Sequence, residues 1–108
     1  MITRKKLGRG AIGTGAGTLI YTVPSQFKVD VTDIDVANTT AAAVTLILHL
    51  VPSGDSPATA TQFCPTISIP ANTMFQWAGQ QTLNAGDFIQ AIGSGAGLNI
   101  HVSGDEYR

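Results

Sequence analysis

The feature that most restricts the fold of this chain is its punctuation. Pro24-Ser25, Ala37-Asn38-Thr39-Thr40-Ala41, Pro52-Ser53-Gly54-Asp55, Pro70-Ala71-Asn72, Asn84-Ala85-Gly86-Asp87 and Gly93-Ser94-Gly95-Ala96-Gly97 cut it into short runs. Proline fixes one backbone angle, glycine admits positive φ, and Asn, Asp and Ser bond back to their own backbone, so each cluster reads as a turn. No window between them carries a helical period of useful length. The runs are instead alternating or β-branched, about eight short strands in all. That pattern predicts an all-β chain: an antiparallel β-sandwich, jelly-roll-like, with an up-and-down barrel as the alternative.

The run Ala43–Val51 is the strongest strand. It has no glycine or proline inside, and Pro52-Ser53-Gly54-Asp55 ends it. Val44, Leu46, Leu48 and Leu50 fall on one face, and Thr45, Ile47, His49 and Val51 on the other. Burying the first four contributes roughly 6–12 kcal/mol gross, at about 1.5–3 each. The mixed second face is expected to meet a partner or a polar boundary. Upstream, Phe27, Val29 and Val31 alternate with polar residues, but the next apolar pair, Ile34 and Val36, is offset by one. One extra residue near Thr32-Asp33 restores the inward direction, which is the signature of a β-bulge. Later runs give short strands before and after Pro65, then one with Phe75 and Trp77 on a common face and Met74 opposite. A short strand over 80–83 and one over Phe88–Ile92 follow. In the last, Leu98, Ile100 and Val102 point inward, and 104–108 reads as a polar tail.

Charged residues make up only 12% of the 108 residues, about half the usual share. A chain so poor in charge is either covered by copies of itself or by other subunits, or is a monomer with a Thr/Ser/Asn/Gln surface; the first is the expectation. Four of the six basic residues (Arg4, Lys5, Lys6 and Arg9) lie near the start, among Gly8, Gly10, Gly13, Gly15 and Gly17. Glycine makes such a stretch costly to order. Residues 1–17 are therefore expected to be a flexible arm, with Arg4, Lys5, Lys6, Arg9 and Ile12 as partner-binding residues, and 18–108 to be the β-sandwich domain. The arm would order on binding. No apolar run of about 18 residues offers a membrane span, and the basic start leads into glycine rather than an apolar signal core. Four cations without interleaved aromatics make a poor nucleic-acid surface.

The remaining constellations point to bland roles. Gly8-Arg9-Gly10-Ala11-Ile12-Gly13 spells a dinucleotide-binding pattern without the strand before it or the helix after it that the motif needs. Asp30, Asp33 and Asp35, with Asn38 and Asp55, are oxygen donors of the type calcium takes, but outward carboxylates on a strand are the simpler reading. His49, His101 and Cys64 are too few for a zinc site unless they converge. Cys64 and a histidine lack the orienting group of a nucleophilic pair. No catalytic residue, metal or cofactor is assigned. Tyr21 and Trp77 are candidates for stacking on a glycan or lining an interface.

Taken together, Leu19-Ile20-Tyr21-Thr22-Val23-Pro24, Val36–Thr45, Ser68-Ile69-Pro70-Ala71-Asn72 and Leu83–Ala91 resemble phrases of small β-sandwich virion proteins of tailed bacteriophages. These include capsid decoration (cement) proteins and tail- or fibre-associated proteins. The resemblance spans about residues 18–103 and rests on turn-and-strand phrases. It implies a non-enzymatic jelly-roll-like subunit of the virion that forms homo-oligomers, usually trimers. As a cement subunit it would grip the major capsid protein through the arm; the alternative is a tail, baseplate or fibre module, glycan-binding through Tyr21 and Trp77.

Overall fold

The computed structural model describes residues 2–15 and 17–108. Among them run eight strands: β1 (Thr3–Ala11), β2 (Thr18–Thr22), β3 (Lys28–Asn38), β4 (Val44–Val51), β5 (Gln62–Ile69), β6 (Met74–Leu83), β7 (Phe88–Gly93) and β8 (Leu98–Tyr107). One 3-10 turn, Thr59–Thr61, precedes β5. The strands form two four-stranded sheets, β1-β8-β3-β6 and β2-β7-β4-β5, in which every pairing is antiparallel. One apolar core joins them. Val29, Val31, Ile34 and Val36 of β3 and Leu98, Ile100 and Val102 of β8 enter it from the first sheet. Val44, Leu46 and Leu48 of β4 with Ile89 and Ala91 of β7 enter from the second.

The phase slip in β3 is real. Both neighbours of β3 lose register between Val31 and Asp33, so Thr32 is the extra residue and Val29, Val31, Ile34 and Val36 all reach the core. In β4, Leu48, His49 and Leu50 face Ala91, Gln90 and Ile89 in turn, an unbroken alternation. Of the partner or polar boundary expected on its outer face, the chain itself supplies a polar cover over His49. His49 is only 4% exposed, because the loop after β4 folds back and Thr61 Oγ1 lies 2.9 Å from its Nδ1.

Four expectations are corrected. The stretch read as a loose arm is, over Thr3–Ala11, a strand paired with β8. Leu7 and Ile12 anchor it in the core, and Gly8 lets it lie on β2, where a Cβ would sit 2.7 Å from the Ile20 carbonyl oxygen. The supposed polar tail continues β8 to Tyr107, because β1 and β3 flank it on both sides. Pro65 does not split β5: this is an edge strand, and register slips between its pairs with Leu46 and Leu48, so no ladder N–H is demanded of the proline. Likewise 74–83 is one strand, irregular between Ala78 and Gln81.

Candidate functional site

Every charged residue that lies in a strand belongs to the first sheet; β2, β4, β5 and β7 contain none. Antiparallel register stacks the outward side chains of that sheet into rows across its four strands. Arg4, Asp105, Asp30 and Thr82 form one row; Lys6, Ser103, Asp33 and Ala78 the next. Arg9, His101, Asp35 and Gln76 form a third, and Ala11, Asn99, Ala37 and Met74 a fourth. Read down the strands, cations concentrate on the β1 edge, carboxylates on β3 with Asp105 beside them on β8, Lys28 stands at the start of β3, and β6 at the far edge is uncharged. The face is laterally polarised.

Within the rows, the Arg4 guanidinium donates to Asp105 at 3.1 Å, and the Lys6 ammonium donates to His101 Nδ1 at 2.9 Å. Asp30 accepts from Thr82 Oγ1 (2.9 Å), Tyr107 Oη (3.1 Å) and Gln80 Nε2 (3.3 Å). Asp33 and Asp35 are less well served. Each keeps one buried carboxylate oxygen with no hydrogen-bond partner. Burial raises the Asp35 carboxyl above its ordinary range, and the neighbouring Asp33 charge raises it further against the pull of His101 and Lys6. As carboxylates the two are acceptors only, so the column calls for a proton or a donor.

Lys5 leaves this face. It points to the inner side near the sandwich rim and reaches Glu106 at 3.3 Å, whose other oxygen accepts from Tyr21 Oη at 3.1 Å. Burial first, then the bond to Glu106, pushes the Tyr21 phenol up to about 12. Of the residues assigned to the arm, Arg4, Lys6 and Arg9 thus share the outer face of β1. Lys5 is turned to the rim, and Ile12, 3% exposed, is a core residue with no surface to offer.

Tyr21 and Trp77 do not come together. Tyr21 is on β2, beside β1, whereas Trp77 on β6 meets the Phe63 ring of β5 edge-on at 4.8 Å, on the opposite flank. Asp55 lies in the loop after β4, and Asn38 is consumed in backbone bonding. Among the described residues no three His, Cys, Asp or Glu side chains are grouped to hold a metal ion. Cys64 faces the core opposite Leu48, while His49 faces outward opposite Gln62, so they form no reactive pair. Burial raises the Cys64 thiol and lowers the His49 imidazole from their ordinary values. Sequence reasoning passed over Asp105 and Glu106, although Asn99, His101, Ser103 and Asp105 continue one period-two series. Comparison with protein-family models, with curated proteins and with solved structures gives no match in any of the three.

Proposed function

We propose that this chain is a non-enzymatic structural subunit of a bacteriophage virion: a capsid cement, or decoration, subunit that assembles as a trimer on the capsid surface and grips the major capsid protein through the charged outer face of its first sheet, to which the N-terminal strand contributes Arg4, Lys6 and Arg9. The observation that carries this is the lateral bias of charge on the first sheet, with four of its five strand cations on β1 and three of its five strand carboxylates on β3. A surface polarised in this way suits contact with other protein surfaces. The uncharged strands of the second sheet suit a body that is covered on assembly. The strand orders β1-β8-β3-β6 and β2-β7-β4-β5 favour reading the sandwich as a jelly roll, an architecture found in viral capsid and lectin domains. That support is by analogy of fold.

Purified particles that contain the chain provide the test. A cryo-EM map is expected to show the sandwich in threefold clusters on the capsid lattice, and light scattering of the free protein a mass three times the 11.2 kDa chain. Density confined to the tail, baseplate or a fibre, with binding on a glycan array, would replace the cement reading by the adhesion module. Because Tyr21 and Trp77 lie on opposite flanks, such a module would use one of them and not both.

A further inference from the structure

The two sheets have four edges, and three are blunted. β1 carries Arg4, Lys5, Lys6 and Arg9; β2 has only five residues and slips register between Leu19 and Tyr21; β5 contains Pro65. Charge, shortness, bulges and proline are the usual means of stopping one edge strand from adding to another. β6 is different. Its ten residues include no charge and no proline, Met74 is 58% exposed, and Gln76, Ala78 and Thr82 lie open on the outer face.

We propose that copies of this chain join edge to edge, β1 of one subunit adding antiparallel to β6 of the next, so that the first sheet runs on across the boundary. This rests on the reading of the chain as a self-assembling subunit and names the surface used. Strand direction permits it. Successive neighbours in β1-β8-β3-β6 are antiparallel, so β1 and β6 run in opposite senses, and a second copy in the same orientation continues the alternation.

Charge selects this pairing over its rivals. Joining β1 to β1 would set two cationic edges against each other. Joining β6 to β6 would bring two acidic β3 columns to one seam with no cation between them. β1 on β6 sets Arg4, Lys6 and Arg9 of one copy toward all three β3 carboxylates of another, whereas β1 on β1 offers them only Asp105 on the outer face, behind an opposed row of cations. Across the β1–β6 seam they would lie two strand spacings from β3, about 10 Å, the same number of strands that separates Lys6 from Asp33 within one subunit. The unpartnered oxygens of Asp33 and Asp35 stand in the column one strand in from that seam. Arg9, whose side chain bonds to no described residue, is free to supply donors. Such a contact joins different surfaces on the two copies, and heterologous contacts of this kind close into rings when the rotation allows.

The test measures association of the full chain by light scattering and sedimentation. Substitutions Gln76→Lys and Ala78→Lys together put cations where the incoming β1 must lie, and both sites are exposed. Association is expected to weaken by about tenfold or more, since like charges opposed across an interface cost affinity. Adding Arg9→Glu is expected to restore it, while Ser68→Lys on the β5 edge is expected to change nothing. Circular dichroism confirms that each variant keeps its strands. If the wild type is a monomer at all accessible concentrations, self-assembly itself fails and this inference with it. If the wild type associates and the β6 lysines leave that intact, or if Ser68→Lys disrupts it instead, the edge assignment is overturned while self-assembly stands.

Discussion

Replacing Asn38 tests how the two sheets are held at their shared corner. Asn38 ends β3, is 2% exposed, and bonds across the crossover to β4. Its amide nitrogen donates to the carbonyls of Ala42 (2.9 Å), Ile69 (2.9 Å) and Pro70 (3.2 Å), and its oxygen accepts from Thr40 N (3.0 Å) and Thr40 Oγ1 (2.7 Å). One side chain therefore ties the end of a first-sheet strand to two passages of chain that belong to the second sheet. Asn38→Ala removes these bonds and strands the buried Ile69 carbonyl. At about 0.5–1.5 kcal/mol for each bond, and more for a buried group left unpaired, the loss comes to about 3 kcal/mol. That corresponds to a fall in Tm of about 12–24 °C for a domain near this size. Asn38→Asp keeps the shape and still accepts from Thr40, but it sets an anion against three carbonyl oxygens; it is expected to cost more than alanine at pH 7 and to recover partly in acid. Denaturant unfolding followed through the single tryptophan, Trp77, reads both variants. A loss below about 1 kcal/mol for Asn38→Ala, or an Asp variant more stable than the Ala variant at pH 7, would refute the corner's role.

Three further outcomes follow from the same geometry. Asp35 has a raised carboxyl pKa in the fold, so its ionisation opposes folding: Asp35→Asn is expected to stabilise the subunit at pH 7, with the advantage fading as pH falls through the folded pKa toward the ordinary 3.8. A constant advantage at every pH would contradict this. Tyr21 is raised from 10.0 to about 12, so its contribution is complete below the unfolded value and is lost as pH climbs through that window. Ultraviolet titration should show one phenol ionising near 12, absent in Tyr21→Phe, and ionisation of Tyr21 near 10 would overturn the assignment. Gly104 packs against the Asp30 carbonyl, into which a Cβ would run, with Leu7 Cδ1 3.0 Å away. Gly104→Ala is expected to cost about 1–3 kcal/mol as overpacking does, measured by denaturant midpoint, and an unchanged midpoint would show that the strands can part there.

Much of the sandwich was legible because period-two alternation is a local property. Val44, Leu46 and Leu48 declare their face within a few residues, and the offset between Val31 and Ile34 betrays Thr32 without reference to any other strand. What could not be read depended on partners distant in sequence. Thr3–Ala11 looks unstructured because glycine and lysine have poor strand propensity, yet that propensity is overridden when β8 offers a ladder and the core accepts Leu7 and Ile12. Pro65 looks like a strand end unless one knows that β5 is an edge. The burial of His49 depends on where the loop after β4 falls, and the residues between Val51 and Thr61 do not encode that direction. The charged face was half visible: the cations and the carboxylates could each be found, but only the β8 register set them in common rows.

The conversion of the expected arm into a strand changes what its charges can do. On a free arm, Arg4, Lys5, Lys6 and Arg9 would sample all directions and act as a diffuse positive tether. On β1 the strand period divides them, with Lys5 turned to Glu106 and the other three held on one face. The same lysines and arginines that stop β1 from adding to its own kind leave it fit to add to an edge that lies beside carboxylates. Edge protection and partner choice are then a single electrostatic pattern viewed from two approaching surfaces. The uncharged β6 edge would be a hazard on a solitary molecule, and it becomes intelligible as the half of a contact whose selectivity is supplied by β1 and by the acidic column one strand further in.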